Sequence, residues 1–160
     1  MPDSKLLTES LLKQVAAAID SDTLLLGIQS GGVVVLDYLI KKLGIDVASA
    51  TVDISLHRDD FEIRGLAKSK KSTSIDVDVN GRNVILVDDV VQSGRTARAA
   101  INEIYDFGRP KTIRLAVLVD RGGRELPIEP QIMGGLIDIP TNKKIAVRLD
   151  TNKELEVYVA

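Results

Sequence analysis

Residues 84–96 read VILVDDVVQSGRT: an apolar run that ends in two adjacent carboxylates and a small, hydroxyl-rich loop. Those residue types suit a phosphorylated sugar. Gly94 lets backbone come close to a ligand, and Ser93 and Thr96 supply hydroxyl donors. The first N–H groups of a helix starting there lack intrahelical partners, so the loop can cradle a phosphate. Asp88 and Asp89, a few residues upstream, can accept hydrogen bonds from the two hydroxyls of a ribose. Together these groups fit a ribose 5-phosphate. A plainer reading keeps Ser93 as a helix cap and the aspartates as a strand-end cluster, since capping serines are common. Two other loops qualify by residue type. One is 29–32, with Ser30-Gly31-Gly32; the other is 120–125, where Asp120, Arg121 and Glu125 serve either a ligand or a surface ion-pair cluster.

Other chemistries are excluded by what the chain lacks. It has no cysteine, which removes thiolate nucleophiles, disulfides and cysteine metal sites, and its single histidine, His57, cannot build a multi-histidine site. Any metal is therefore a hard, oxygen-bound one. Lys and Arg number 21 against 23 Asp and Glu, a net charge of -2, so no global field draws nucleic acid or anionic lipid. Aromatics make up 3% with no tryptophan, which leaves few platforms for stacking bases. No apolar run reaches about 18 residues, and MPDSKLLTES has neither a basic leader region nor a small-residue cleavage site. A cytoplasmic protein with no membrane partner is expected.

The elements that position these loops follow from periodicity. At 160 residues, 44% of them hydrophobic, the chain has the size of one domain spanning 1–160. Leu7, Leu11, Val15 and Ala18 recur at helical spacing over 4–19. Residues 24–28 form a short apolar run, and Ser30-Gly31-Gly32 turns it into a helix ending near Gly44. Residues 48–57 alternate strictly, as a half-covered strand does. Residues 58–74 lose periodicity and gather charge, which reads as a long loop that orders over ligand at 61–74. Ile75, Val77 and Val79 alternate into Asn80-Gly81, a tight hairpin turn. The run 84–87 ends at Asp88 and Asp89 and precedes a helix with Ala97, Ala100, Ile101 and Ile104 as its buried stripe. Residues 113–119 form a further strand, and 145–159 a strand pair joined around 150–153. Strands alternating with helices predict a parallel sheet covered on both faces, with ligands at the carboxyl ends of the strands, where all three loops fall.

VILVDDVVQSGRT resembles the signature of type I phosphoribosyltransferases, which bind phosphoribosyl pyrophosphate through this loop. Further stretches narrow the resemblance to the bifunctional pyrimidine operon regulators with uracil phosphoribosyltransferase activity. HRDD at 57–60 is similar to that family's YRDD, FGRP at 107–110 to VGRP, LAVLVDRGGRELPI at 115–128 to LAVLVDRGHRELPI, and IPT at 139–141 to IPT. The resemblance implies a mostly parallel central sheet flanked by helices, with a mobile loop or hairpin and a small hood. It implies Mg²⁺-dependent conversion of uracil and phosphoribosyl pyrophosphate to UMP and pyrophosphate, in pyrimidine salvage, by a homo-oligomer, dimer or larger. Carried over by position, Ser30, Gly31 and Gly32 are the pyrophosphate loop, and Asp88 and Asp89 are the catalytic carboxylates on the ribose and metal side. Val90, Val91, Gln92, Ser93, Gly94, Arg95 and Thr96 take the 5-phosphate, and Arg58 faces the pyrophosphate. Asp120 and Arg121 lie on the base and metal side, Ile145 helps enclose the base, and Mg²⁺ is held through Asp88, Asp89 and Asp120.

The chain departs from that pattern twice. The regulators carry Thr-Arg-Gly where this chain has Ser30-Gly31-Gly32, so a cation beside the pyrophosphate is missing. Backbone N–H groups can still bind an anion there, and Arg58 or Lys68, Lys70 and Lys71 can supply charge, unless those lysines are merely solvated. Arginine restored at 31 is expected to raise turnover if the backbone tolerates a side chain. The first helix offers only Lys5 and Lys13 against Asp3, Glu9 and Asp20, so RNA binding is not expected. Three functions remain open: a uracil phosphoribosyltransferase, a non-catalytic or weakly active nucleotide or phosphoribosyl pyrophosphate binder, and an RNA-binding attenuator.

Overall fold

A computed structural model describes residues 2–54 and 75–160. The expectations for Arg58, for the lysines at 68, 70 and 71, and for a loop closing over ligand at 61–74 lie outside the described residues.

Alternating apolar strands and amphipathic helices produce the architecture. Helix α1 (Ser4–Ala18) starts where the Asp3 carboxylate accepts the Lys5 and Leu6 N–H groups at 3.1 and 3.2 Å. Strand β1 (Thr23–Ile28) leads into α2 (Gly31–Leu43), which ends at Gly44 in the left-handed conformation, φ 59°. There follow β2 (Ala48–Val52), β3 (Asn83–Val91), α3 (Arg95–Tyr105), β4 (Thr112–Asp120), β5 (Ile132–Leu136), β6 (Ile145–Leu149) and β7 (Leu155–Val159). The first five strands pair in parallel in the order β2-β1-β3-β4-β5, while β6 and β7 form a separate antiparallel hairpin, the expected hood.

Side-chain alternation along the central strands sorts the core into two layers. Leu25, Ile85, Val87, Ala116 and Leu118 face α1 and α2, packing with Leu11, Val15, Val35 and Leu39. Leu24, Leu26, Val84, Leu86, Leu115 and Val117 face α3, packing with Ala97, Ala100 and Ile104. Burying each such Leu or Ile stabilises the fold by roughly 1.5–3 kcal/mol. Both faces of the sheet are thus covered, as predicted, and its carboxyl edge is the part left for ligands.

Three expectations need correction. Residues 75–79 form no strand, although Val79 is buried and Ile75 and Val77 are half-buried, so the alternation reports packing against the α3 layer and not a ladder. The turn at Asn80-Gly81 is closed by the Arg82 N–H on the Val79 carbonyl at 3.2 Å, with positive φ at Gly81 alone, and its outer contacts run to Arg109. The two-residue hairpin turns need positive φ at both central positions or at the first, and Asn80, the first, does not have it. Strand β3 also runs past the apolar residues to Val91, so Asp88 and Asp89 lie inside it.

The strand missed from sequence is β5, whose IMGGL breaks the apolar run with two glycines. Their role is a close approach of α1. A methyl on Gly134 would lie 2.5 Å from the Leu118 carbonyl and 2.6 Å from that of Leu7. The same helix guards the outer edge of β5. The Gln14 amide donates to the Met133 carbonyl at 2.7 Å, and its oxygen accepts the Met133 N–H at 3.4 Å.

Candidate active site

The strand order reverses between β1 and β3, and the loops leaving these two strands meet there at the carboxyl edge. After β3, Gly94 takes φ 91°, a conformation that favours glycine, and turns the chain into α3. The Arg98 N–H is bonded to the Gly94 carbonyl at 3.0 Å, so the N–H groups before it precede the helical ladder. The N-cap is Gly94, so Ser93 stands one residue outside the helix, and its Oγ accepts the Arg95 N–H from there at 3.1 Å. That bond and ligand binding are compatible here, because the same loop lines a cavity of about 320 Å³. Asp88, Val90, Val91, Gln92, Ser93, Gly94 and Thr96 line it together with Arg121 and Ile145. Nine residues singled out from sequence therefore share one cavity.

Arg95 does not join them. Its guanidinium reaches Glu125 at 3.2 Å, both side chains more than half exposed, so Glu125 forms a surface ion pair, but with Arg95 and not in the cluster with Asp120 and Arg121 that its plainer reading supposed. Lys144, not foreseen, lines the cavity beside Arg121, whose Nη1 donates to the Lys143 carbonyl at 3.0 Å. Its only sequence signal was two lysines just before a strand.

The second half of the site is the loop after β1. Ser30 precedes α2 without capping it through its side chain, and the Val33 and Val34 N–H groups reach back to the Ser30 carbonyl at 3.2 and 3.4 Å. The N–H groups of Gly31 and Gly32 thus sit at a helix start, where anions bind. Gly32 is required for packing: a methyl there would collide with the Val87 carbonyl of β3. At Gly31 the space is filled by a carboxylate. A methyl on Gly31 would overlap Asp89 Oδ2 and lie 3.0 Å from Oδ1. The backbone at 31 is not in the left-handed region and so accepts a side chain; what an arginine there meets is the Asp89 carboxylate, which must move.

Asp88 and Asp89 sit between the two loops. The Asp89 N–H donates to Asp88 Oδ1 at 2.9 Å and the Val90 N–H to Asp89 Oδ1 at 2.8 Å, which fixes both carboxyl groups against the backbone. Burial, and then the charge of Asp89, push the Asp88 carboxyl well above the usual carboxylate range. Asp120 is different. Burial pushes it up, but the Arg124 guanidinium at 2.7 Å and the Gly122 N–H at 2.9 Å outweigh this and lower it.

The three aspartates do not form one metal cage. In the ladder Asp88 is opposite Val117 and Asp120 is opposite Val91, a three-residue offset of about 10 Å along the strand. Among the described residues no group of three or more acidic or histidine side chains is arranged to hold a metal. The Asp88–Asp89 pair alone suits Mg²⁺, which usually takes one or two carboxylates together with substrate phosphates.

Two helix starts flanking an acidic pair meet at the switch point of a parallel sheet, the place where such sheets bind ligands. Residues 3–153 match the model of the phosphoribosyl transferase domain. The chain belongs to the type I phosphoribosyltransferase family. Its relatives there include proteins named bifunctional protein PyrR. One from Pseudomonas fluorescens is 34% identical over 156 residues, covering 92% of this chain and 93% of the relative. One from Ralstonia nicotianae is 40% identical over 150 residues, 91% and 86%. One from Picosynechococcus is 45% identical over 134 residues, 81% and 75%. Among solved structures, a hypoxanthine-guanine phosphoribosyltransferase from Bacillus anthracis superposes with a TM-score of 0.67 at 21% identity, covering 89% of this chain and 84% of that one. At that identity it speaks for the fold. Among the described residues no helix is long and apolar enough to cross a membrane.

Proposed function

We propose that the protein transfers the ribose 5-phosphate group of phosphoribosyl pyrophosphate to uracil. The observation that carries this reading is one cavity lined by a hydroxyl-rich helix start, Asp88 and the cationic residues Arg121 and Lys144. In this reading residues 92–96 hold the 5-phosphate, the acidic pair holds the ribose hydroxyls, and 30–32 receive the pyrophosphate at the start of α2. Arg121, Lys144 and Ile145 lie where the base enters. The bond from C1 to the pyrophosphate oxygen breaks, the bond from C1 to uracil N1 forms, and the N1 proton is released. Charge on C1 rises as the leaving group departs, as at glycosidic bonds, and carboxylates beside the ribose stabilise it. Mg²⁺ bound through the Asp88–Asp89 side would neutralise the pyrophosphate.

A second reading, a weakly active or non-catalytic binder of phosphoribosyl pyrophosphate, is favoured by one observation: at the pyrophosphate loop a carboxylate, Asp89, stands against Gly31 where the regulators carry arginine. Turnover of phosphoribosyl pyrophosphate with Mg²⁺ against a panel of nucleobases separates the two. UMP formed with uracil, faster than nucleotide from any purine, supports the enzyme. Binding of phosphoribosyl pyrophosphate without nucleotide from any base replaces it with the binder. Asp89→Asn keeps an oxygen for the Val90 N–H but loses the charge, and it is expected to cut turnover about 10²-fold or more with the unfolding temperature nearly unchanged.

A further inference from the structure

The segment after β4, residues 121–129, lies against the outer side of the phosphate loop and is tied to it through backbone. The carbonyls of three successive residues are held by this segment. That of Val91 accepts the Arg121 N–H at 3.1 Å, that of Gln92 the Arg124 Nη1 at 2.8 Å, and that of Ser93 the Glu125 and Leu126 N–H groups at 2.9 and 3.2 Å. In a trans peptide the C=O and the following N–H point in opposite directions. Turning these carbonyls toward 121–126 therefore aims the N–H groups of Gln92, Ser93 and Gly94 the other way, and all three residues line the cavity. The middle carbonyl alone is held by a side chain. Arg124, whose side chain is only 14% exposed, also donates to Asp120 Oδ2 at 2.7 Å and to both carboxylate oxygens of Glu129 at 2.9 and 3.2 Å.

We propose that Arg124 is a positioning residue for the 5-phosphate site: it sets the orientation of the Gln92–Ser93 peptide, and hence of the donors offered to the phosphate. Glu129 and Asp120 hold the guanidinium for that task. A lysine cannot replace it, because one ammonium cannot reach three acceptors in a planar fork. The proposal rests on the reading of this cavity as the ribose 5-phosphate site.

Calorimetric binding of ribose 5-phosphate and, separately, of magnesium pyrophosphate to wild type, Arg124→Met and Arg124→Lys tests it. Arg124→Met is expected to weaken ribose 5-phosphate by about tenfold or more while pyrophosphate stays within about twofold, and Arg124→Lys to recover only part of the loss. Equal weakening of both ligands, or of neither, overturns the proposal, since loss of overall structure would not choose between the two ends of the site. If Arg124→Met does not fold, Glu129→Gln, which leaves the Gln92 and Asp120 contacts in place, must show the same selectivity at smaller size. If the wild type binds no ribose 5-phosphate, the function proposed above falls. The positioning claim is then decided in the ligand-free protein by amide hydrogen exchange: faster exchange at 92–97 in Arg124→Met, with β1 unchanged, upholds it, and unchanged exchange there ends it.

Discussion

Asp88 is a carboxyl group placed where a charge is costly, next to a second carboxylate and among apolar strands. Because its folded-state pKa is raised above the ordinary 3.8, the folded protein holds that proton more tightly than the unfolded chain does. Stability from this group is fully present below about pH 3.8 and is lost as pH rises through the folded value. Asp88→Asn is therefore expected to raise the unfolding temperature at pH 7 by about 2–4 °C, on the order of 1 kcal/mol, while lowering turnover. The gain should shrink to nothing in thermal scans near pH 3.5; a gain that is the same at both pH values would show that burial of the charge is not its source. Gly31 belongs to the same arrangement. Gly31→Ala pushes the Asp89 carboxylate off the pyrophosphate loop, and kcat/KM is expected to fall by about 10- to 100-fold, as it does when a reacting group is displaced by about an ångström. Gly31→Arg, which sequence alone favours as a gain, meets the same obstacle. Steady-state kinetics of both variants decide it, and improved turnover in either would mean that Asp89 yields freely.

At the level of elements, the helices and the central strands were legible because their apolar periods are unbroken, and the turn from β3 into α3 because Ser93 and Gly94 mark it without coordinates. What was not legible depends on contacts between distant segments. Strand β5 was hidden because Gly134 and Gly135 serve the helix that crosses them and carry no apolar signal of their own. The link between Gly31 and Asp89, and that between Arg124 and Gln92, join residues far apart in sequence, and no spacing rule reports them. Asp120 looked like a partner of Asp88 and Asp89 until the strand register separated them. The crossing of α1 over β5 gives a stability prediction. Gly134→Val places side-chain atoms against two backbone carbonyls that cannot step aside, and it is expected to destabilise the protein by about 2–4 kcal/mol in denaturant unfolding. Gly44→Ala, at a helix end with open space around it, bears only the left-handed backbone cost of about 1 kcal/mol and serves as the comparison.

For the molecule as a whole, charge bears on the second activity that the word bifunctional in the relatives' names suggests. The net charge of -2 and an α1 bearing only Lys5 and Lys13 give little cation density for a phosphate backbone. Specific binding of pyrimidine-operon leader RNA at physiological salt is therefore not expected. Filter binding or electrophoretic mobility shift checks this, and a submicromolar, sequence-selective complex strengthened by uridine nucleotide would reverse it. A different property follows from Gln14. Its amide completes a rung of hydrogen bonds with Met133 at the outer edge of β5, standing in for a strand that is not there. An open parallel sheet otherwise offers that row of backbone groups to any extended chain, including the same edge of another copy. By filling the rung from within, the first helix shields the sheet against templated growth in that direction. Continuing one sheet into the next across β5 is therefore disfavoured at this rung, and copies that associate in solution are expected to do so without it.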